Sequence, residues 1–545
     1  MKGRKSAIAA AGTFFSLFTF SQLYQHVVSQ NIFEGSRVED QANFIRSSRS
    51  WLDRRVCTWF GLCGLAHLNR SNWDKFETKQ VPVYAGPREQ VDLREFAKDA
   101  QTLPEDWSEK EFKEREIPQY VLDHAPLIHL YSGEEFWPGD MIDHLWHTTP
   151  HLNYTPLQAV DDHPTLNNLG KLNSWGRHVY LTSDDNPEET PPPEWLAGEV
   201  NIPNAPEDSE PKDPNEGGRT GGHLEEDKES EGSSWFKSGK GDTVERGGFR
   251  PTGPASSPHP MPTDTPEGEE WVNKKPSWRP DLLREKMKKR GRKVVGGKSG
   301  APAVLIVVPK DDGVVDAFWF FFYSFNKGNS VFNIVFGNHV GDWEHTMVRF
   351  QHGVPKAIFF SEHSFGDAYV WDAVEKSGKR PVGFSATGSH AMYATPGVHP
   401  YILPGGILHD VTDRGPLWDP TLNMHSYTYD YQRDMLRSSN LEPDAPTSWF
   451  YFWGHWGDKF YPLNDPRQYQ FLGEYHYVNG PLGPRFKNLG RQEICQGGDT
   501  CVVKKWLGDN HLPRSRTKRY PNVGQGEEMS AEDVQRFVGP EKGPA

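Results

Sequence analysis

The sequence predicts a mainly β fold: a β-sandwich-like domain with a few short helices, interrupted by a long disordered acidic insert. Three observations carry this expectation. Runs of β-branched and aromatic residues, bounded by Gly, Pro or Asn, recur roughly every 10–15 residues through the second half of the chain, with no helical period between them. The 545 residues include 19 Trp, 19 Tyr and 31 Phe, yet the mean hydropathy is −0.73. An aromatic-rich folded part is therefore diluted by a part that does not fold. The dilution has an address: Asp184 to Pro280 holds 22 Asp and Glu against 10 Lys and Arg, with 16 Pro and 12 Gly. Such a segment buries too little apolar surface to offset a backbone entropy of about 1–2 kcal/mol per residue.

The elements follow in order. Lys2, Arg4 and Lys5 precede the apolar stretch Ala7–Phe20, so residues 1–29 read as a secretory signal peptide or, if uncleaved, a signal anchor. Residues 30–79 form an N-terminal segment containing Cys57 and Cys63; Cys495 and Cys501 lie near the other end. Each pair encloses a tight loop, which favours the disulfides Cys57–Cys63 and Cys495–Cys501 over the other pairings and over zinc, whose usual C-x2-C spacing is missing. Asn69-Arg-Ser and Asn153-Tyr-Thr are glycosylation triplets, usable only in the secretory lumen. Residues 80–183 are the first part of the β-rich domain, with an amphipathic helical stretch near Val91–Ala100 and a strand at Ala125–Tyr131. Residues 184–300 are the linker, acidic and then basic at Arg284–Lys293. Residues 301–512 are the main part of the domain, with strands at Ala303–Val308, Val315–Phe325, Asp342–Phe350 and Ala357–Glu362. The first part is expected to lend one or two strands to the same sheet, and residues 513–545 to be a disordered tail.

Composition also excludes. A net charge of −14 argues against nucleic acid as a partner, and no run beyond the N-terminus is long enough for a multi-span membrane protein.

The segment richest in chemistry is Gly337-Asn-His-Val-Gly-Asp-Trp-Glu-His345. On a strand, a period of two puts Asp342, Glu344 and Thr346 on one face and Trp343, His345 and Met347 on the other. Two carboxylates along one face repel unless a cation, an arginine such as Arg349, or water compensates them. Eight of the 22 histidines fall between His339 and His425, at strand ends that adjacent strands could bring to one rim. His339, Asp342, Glu344, His345, His363 and His390 are therefore the candidate ligands of a divalent cation: the mixed donors suit zinc or manganese, the carboxylates alone calcium or magnesium. The competing reading is that these side chains hydrogen-bond the loops of a β-sandwich. No phosphate-binding loop or nucleophile elbow is present: GGKSG at Gly296–Gly300 and Ser389-His390 both lack the required spacing. The run Trp449–Trp456 reads as core, or as an aromatic shelf for sugars or a membrane interface.

Three ordered motifs carry a resemblance: Gly341-Asp-Trp-Glu-His345 with Arg349; Ser361-x-His363-Ser-x-Gly366; and Ser385-x-x-Gly-Ser-His-Ala-x-Tyr393 with Pro396-Gly397. Together they resemble the vacuolar protein sorting-associated protein 62 family, over Ala125–Tyr131 and Ala303–His425. The resemblance implies a role in vacuolar protein targeting and sorting-machinery partners, but no defined reaction. A second similarity is to the necrosis-inducing cytolysin-like proteins, whose G-H-R-H-D-W-E heptad binds a divalent metal in a β-sandwich. Here Gly341 stands where that heptad has the histidine before Asp. Two functions follow. One is a non-enzymatic protein of the vacuolar and secretory route, in the vacuole lumen, outside the cell, or on a single-pass anchor. The other is a divalent-metal-dependent β-sandwich protein, a hydrolase with His345 or His390 as general base, or a glycan- or membrane-binding module.

Overall fold

The computed structural model describes residues 34–68, 107–157, 163–204, 297–331, 334–363, 365–402, 408–471, 473–497 and 501–507. The apolar N-terminal stretch, the Val91–Ala100 helix, Asn69 and the expected tail lie outside them.

The fold is mainly β. In chain order its main strands are β1 (Leu127–His129), β2 (Ala303–Pro309), β3 (Val314–Asn326), β4 (His339–Gln351), β5 (Val354–Glu362), β6 (Phe365–Val370), β7 (Lys376–Ser377), β8 (Arg380–Ser385), β9 (Met392–Tyr393), β10 (Leu417–Trp418), β11 (Met424–Asp430), β12 (Met435–Ser438) and β13 (Val503–Lys504). Eight of them make one sheet in the order β12-β11-β2-β3-β4-β5-β6-β13. Pairing is antiparallel except for β2 with β11 and β6 with β13. A second sheet runs β7-β8-β1-β10, with β9 on β8.

Strand β3 explains why its sequence does not alternate. Every residue from Asp316 to Asn326 is buried, because both faces of the large sheet are covered. Phe318, Phe320 and Phe322 face one core with Trp343, Met347, Trp449 and Trp456. Trp319, Phe321 and Tyr323 face the other, with Ile128, Met392 and Trp418 of the second sheet. The sandwich is thus the large sheet and the small one. The opposite face is closed by the helix Met141–Trp146 and by the Trp449–Trp456 run, whose core reading holds: Trp343 stacks on Trp449 at 5.9 Å and meets Trp456 edge-on at 5.4 Å.

Two expectations need correcting. Strand β1 joins the second sheet rather than the large one, parallel to β8 and antiparallel to β10. Its partner is more than 250 residues away, beyond any local sequence signal. The expected linker, residues 184–300, also takes in chain that is folded at its two ends. Residues 184–204 fold, because Trp195 and Leu196 supply apolar anchors inside the acidic stretch; Trp195 Nε1 donates to Asp185 at 2.8 Å, and Trp137 N donates to the Ala197 carbonyl. Asn204 and Lys298 then exchange two backbone hydrogen bonds of 2.9 and 2.6 Å. The described chain on either side of residues 205–296 is thus paired, and the greater part of the expected insert lies outside the described residues.

At the N-terminal end, helix α1 (Glu34–Ser47) packs Phe44 against Leu463 and both cysteines of the first disulfide. Helix α2 (Trp51–Phe60) starts at Ser50, whose hydroxyl caps Asp53 N, and stops at Gly61 in the left-handed region. Both disulfides are formed as expected, Cys57–Cys63 and Cys495–Cys501.

Candidate functional site

The site is built on β4. Gly341 begins it: φ is +70°, and a Cβ placed there would lie 1.9 Å from the Trp456 carbonyl oxygen. Only glycine fits, and with it β4 runs past that carbonyl in unbroken register and presents Asp342 and Glu344 to the second sheet. Register pairs Asp342 with Tyr323 and Glu344 with Phe321, so both carboxylates share the face of Trp319, Phe321 and Tyr323, as the period of two requires.

His390 meets Asp342 from the turn after β8. Its own φ is +55°, and its ring lies flat on Tyr323, with centroids 3.7 Å apart and planes 2° from parallel. Nδ1 donates to Asp342 Oδ2 at 3.0 Å and Nε2 to the Phe136 carbonyl at 3.0 Å. Two acceptors make the imidazolium the fitting form. Burial alone would push His390 down, but the Asp342 bond and the Glu134 charge outweigh it and hold it above the usual histidine range. Glu344 accepts from the Ser361 hydroxyl, which itself accepts from His345 N at 2.8 Å. Burial first, and then the Asp342 charge, push the Glu344 carboxyl well above its ordinary value.

A second node adjoins the first. Asp410, fully buried, accepts from His363 Nε2 at 2.7 Å, Tyr393 OH at 2.7 Å and Ser389 Oγ at 2.8 Å. Burial by itself would raise the Asp410 carboxyl; the His363 charge and the three donors overcome it and pull it down to about 2. His363 is raised in return: burial disfavours its charge, but Asp410 prevails. Glu134, from the N-terminal block, completes the cluster by accepting from Phe136 N and from Gly388 N, both at 2.9 Å.

Of the six candidate ligands, the fold brings together Asp342, Glu344 and His390, and places His363 on Asp410. His339 turns its Nδ1 to the Gly341 carbonyl at 2.6 Å. His345 lies on the opposite face among Phe318, Phe320 and Phe359, with both ring nitrogens unpartnered. Burial, and then the Arg491 and Lys487 charges, hold it well below the usual histidine range, so it is neutral there. Among the described residues no group of three His, Cys, Asp or Glu is arranged to hold a metal ion. The cytolysin-like arrangement also meets an obstacle at Gly341, where a histidine side chain has no room. Arg349 does not compensate the carboxylates: on the other face, it forms a two-point ion pair with Asp316 at 2.7 Å. His390 takes that part. Asn153 sits in a hairpin turn, its Oδ1 accepting from Lys459 at 2.8 Å.

Asp410, Glu134, Ser361 and Tyr323 escaped sequence reasoning. Ser361 alone had a signal, its place two residues before His363. Chemically, each serine here donates to a carboxylate, Ser361 to Glu344 and Ser389 to Asp410. No hydroxyl among these is paired to an imidazole as a nucleophile requires.

Comparison with known proteins agrees with the motif order. The family model for vacuolar protein sorting-associated protein 62 matches residues 295–461, which span β2 to β12 and every residue of both nodes except Glu134 and Phe136. The chain is 35% identical over 412 residues to the putative vacuolar protein sorting-associated protein TDA6 of Saccharomyces cerevisiae, covering 72% of this chain and 70% of that one. The chain belongs to the vacuolar protein sorting-associated protein 62 family. Vacuolar protein sorting-associated protein 62 of the same yeast is 31% identical over 454 residues, 78% of this chain and 76% of its own. No solved structure matches. The family's matched region thus holds most of the sandwich, while β1, β13 and helices α1 and α2 lie outside it.

Proposed function

We propose that the chain is a non-enzymatic protein of the vacuolar protein sorting route, acting in the lumen of the secretory pathway or from a membrane anchor. Family membership supports the vacuolar role. The basic and apolar N-terminus, the two disulfides and the Asn69 and Asn153 triplets support the compartment. The observation that carries the non-enzymatic part is burial. Asp342 and His390 are 7% and 1% exposed, and both ring nitrogens of His390 are spent on fixed acceptors. A general base needs a free nitrogen facing substrate. This one clamps two sheets and the N-terminal block.

A fluorescent fusion in a fungal cell, with glycosidase treatment of the purified chain, tests the reading. Vacuolar or endomembrane fluorescence, glycan on Asn69 or Asn153, and mis-sorting of a soluble vacuolar hydrolase on deletion are expected. A cytosolic, unglycosylated chain would overturn it.

One observation favours a second reading, a divalent cation in a β-sandwich hydrolase or glycan- or membrane-binding module. Asp342 and Glu344 are two buried carboxylates on one strand face, with Glu344 pushed toward its protonated form. Stoichiometric metal in the purified protein, lost in Asp342→Ala, would establish it; a metal-free, fully folded protein would end it.

A further inference from the structure

Helix α2 carries an apolar stripe that the fold does not use. Its buried residue is Cys57, tied to Cys63. At 3.6 residues per turn, Trp51, Arg55, Trp59 and Leu52 fall within an arc of about 100° on the far side. Trp51 is 63% exposed, Leu52 63% and Trp59 49%. Arg55 stands between the two indoles, its guanidinium 5.8 Å from one ring centre and 5.7 Å from the other. Leu65 and Leu68, in the turn that follows, are exposed as well. A short helix left with two bare tryptophans opposite its disulfide calls for an occupant.

We propose that this stripe docks on an anionic phospholipid surface, with Trp51, Leu52 and Trp59 at the level of the headgroups. Three observations select lipid over protein. The chemistry is that of an interface: indoles flanking an arginine whose stem is apolar and whose head reaches phosphate. The charge is complementary: Arg46, Arg49, Arg54 and Arg55 surround a single acid, Asp53, in a chain that is otherwise acidic. The helix also follows closely in sequence the expected signal peptide or signal anchor. The apolar stretch Ala7–Phe20 precedes it, separated from α2 by a segment that includes α1, 14 residues and about 21 Å long. The inference rests on α2 itself and goes beyond the compartment reading above, which names no lipid-contacting surface.

The four cysteines are all paired, so a cysteine introduced by Leu52→Cys is a unique labelling site for an environment-sensitive dye in the full-length chain. Lys356→Cys, at an exposed position near the start of β5, is the control. With vesicles of phosphatidylcholine and about one third phosphatidylserine, the label at 52 is expected to shift to the blue while that at 356 does not. Trp51→Ser with Trp59→Ser should reduce vesicle affinity at 52 roughly tenfold without changing thermal unfolding. The proposal fails if the label at 52 stays aqueous with vesicles. It fails if the label is already shielded without them, which would assign the stripe to another segment or a second copy. It fails too if the shift survives loss of both tryptophans, which would leave Ala7–Phe20 as the sole membrane contact.

Discussion

Replacing Asp410 by Asn probes the buried node most directly. The Asp410 carboxyl moves from 3.8 to about 2 on folding. Nearly two units at about 1.36 kcal/mol each give about 2.5 kcal/mol of stability. Asp410→Asn removes that charge and turns one acceptor into a donor facing His363, Tyr393 or Ser389, which costs about a further 1 kcal/mol. The total expected is about 3–4 kcal/mol. The sign with pH can be worked through. A depressed carboxyl contributes above its unfolded value near 4 and loses that contribution as pH falls toward 2. The raised His363 contributes below its unfolded value near 6.5 and loses that contribution as pH rises through its folded value. The node is therefore worth most between about pH 4 and 6.5. Urea unfolding of both proteins at pH 5.5 and pH 9 reads this as a loss that is larger at pH 5.5. A loss under about 0.5 kcal/mol at pH 5.5, or one that grows toward pH 9, would refute the reasoning.

His390→Ala leaves Asp342 buried without its donor and strips the ring from Tyr323, so a loss of about 3–5 kcal/mol in urea unfolding is expected. Gly341→Ala drives a methyl into the Trp456 carbonyl at a φ of +70°; a melting temperature equal to wild type would show that the close approach is dispensable. Trp195→Ala should free residues 184–204 and speed proteolysis there while the sandwich stays resistant, checked by limited digestion and mass mapping. Replacing residues 205–296 by a four-residue turn should preserve folding, because Asn204 and Lys298 are already hydrogen-bonded. Loop closure then predicts a gain of up to about 3 kcal/mol, and an aggregated product would contradict it.

What the sequence made legible follows from range. The faces of β4 were readable because a period of two is local: Asp342 and Glu344 lie together and His345 opposite, as alternation demands. The disulfides were readable because six residues separate each pair. The node partners were not. Asp410 meets His363 across 47 positions, and Glu134 meets Gly388 across 254, with nothing in either neighbourhood to announce it. Arg349 could have been placed by the same alternation, which sets it on the face opposite Asp342 and Glu344; only its partner, Asp316, needed the register. Composition put residues 184–204 in the insert, but two apolar residues, Trp195 and Leu196, outweigh the acidic average around them and that stretch folds.

The buried charges make sense as a device for register. An apolar sandwich with Phe, Trp and Val on both faces of its central strands has little that forbids a slip, because neighbouring alignments bury similar area. Charged pairs in such a core are weak sources of net stability but strict about geometry. A one-residue slip of β4 would turn Asp342 and Glu344 away from His390 and Ser361, toward the face of Trp449 and Trp456, and strand two carboxylates in an aromatic core. The hydrogen-bond partners also come from both sides of residues 205–296. Phe136 and Glu134 hold the loop of His390 from the N-terminal block, so the alignment of β4 and the docking of that block are set together. By these contacts the motif residues Asp342, His363 and His390 fix which of several similar packings the long aromatic strands adopt.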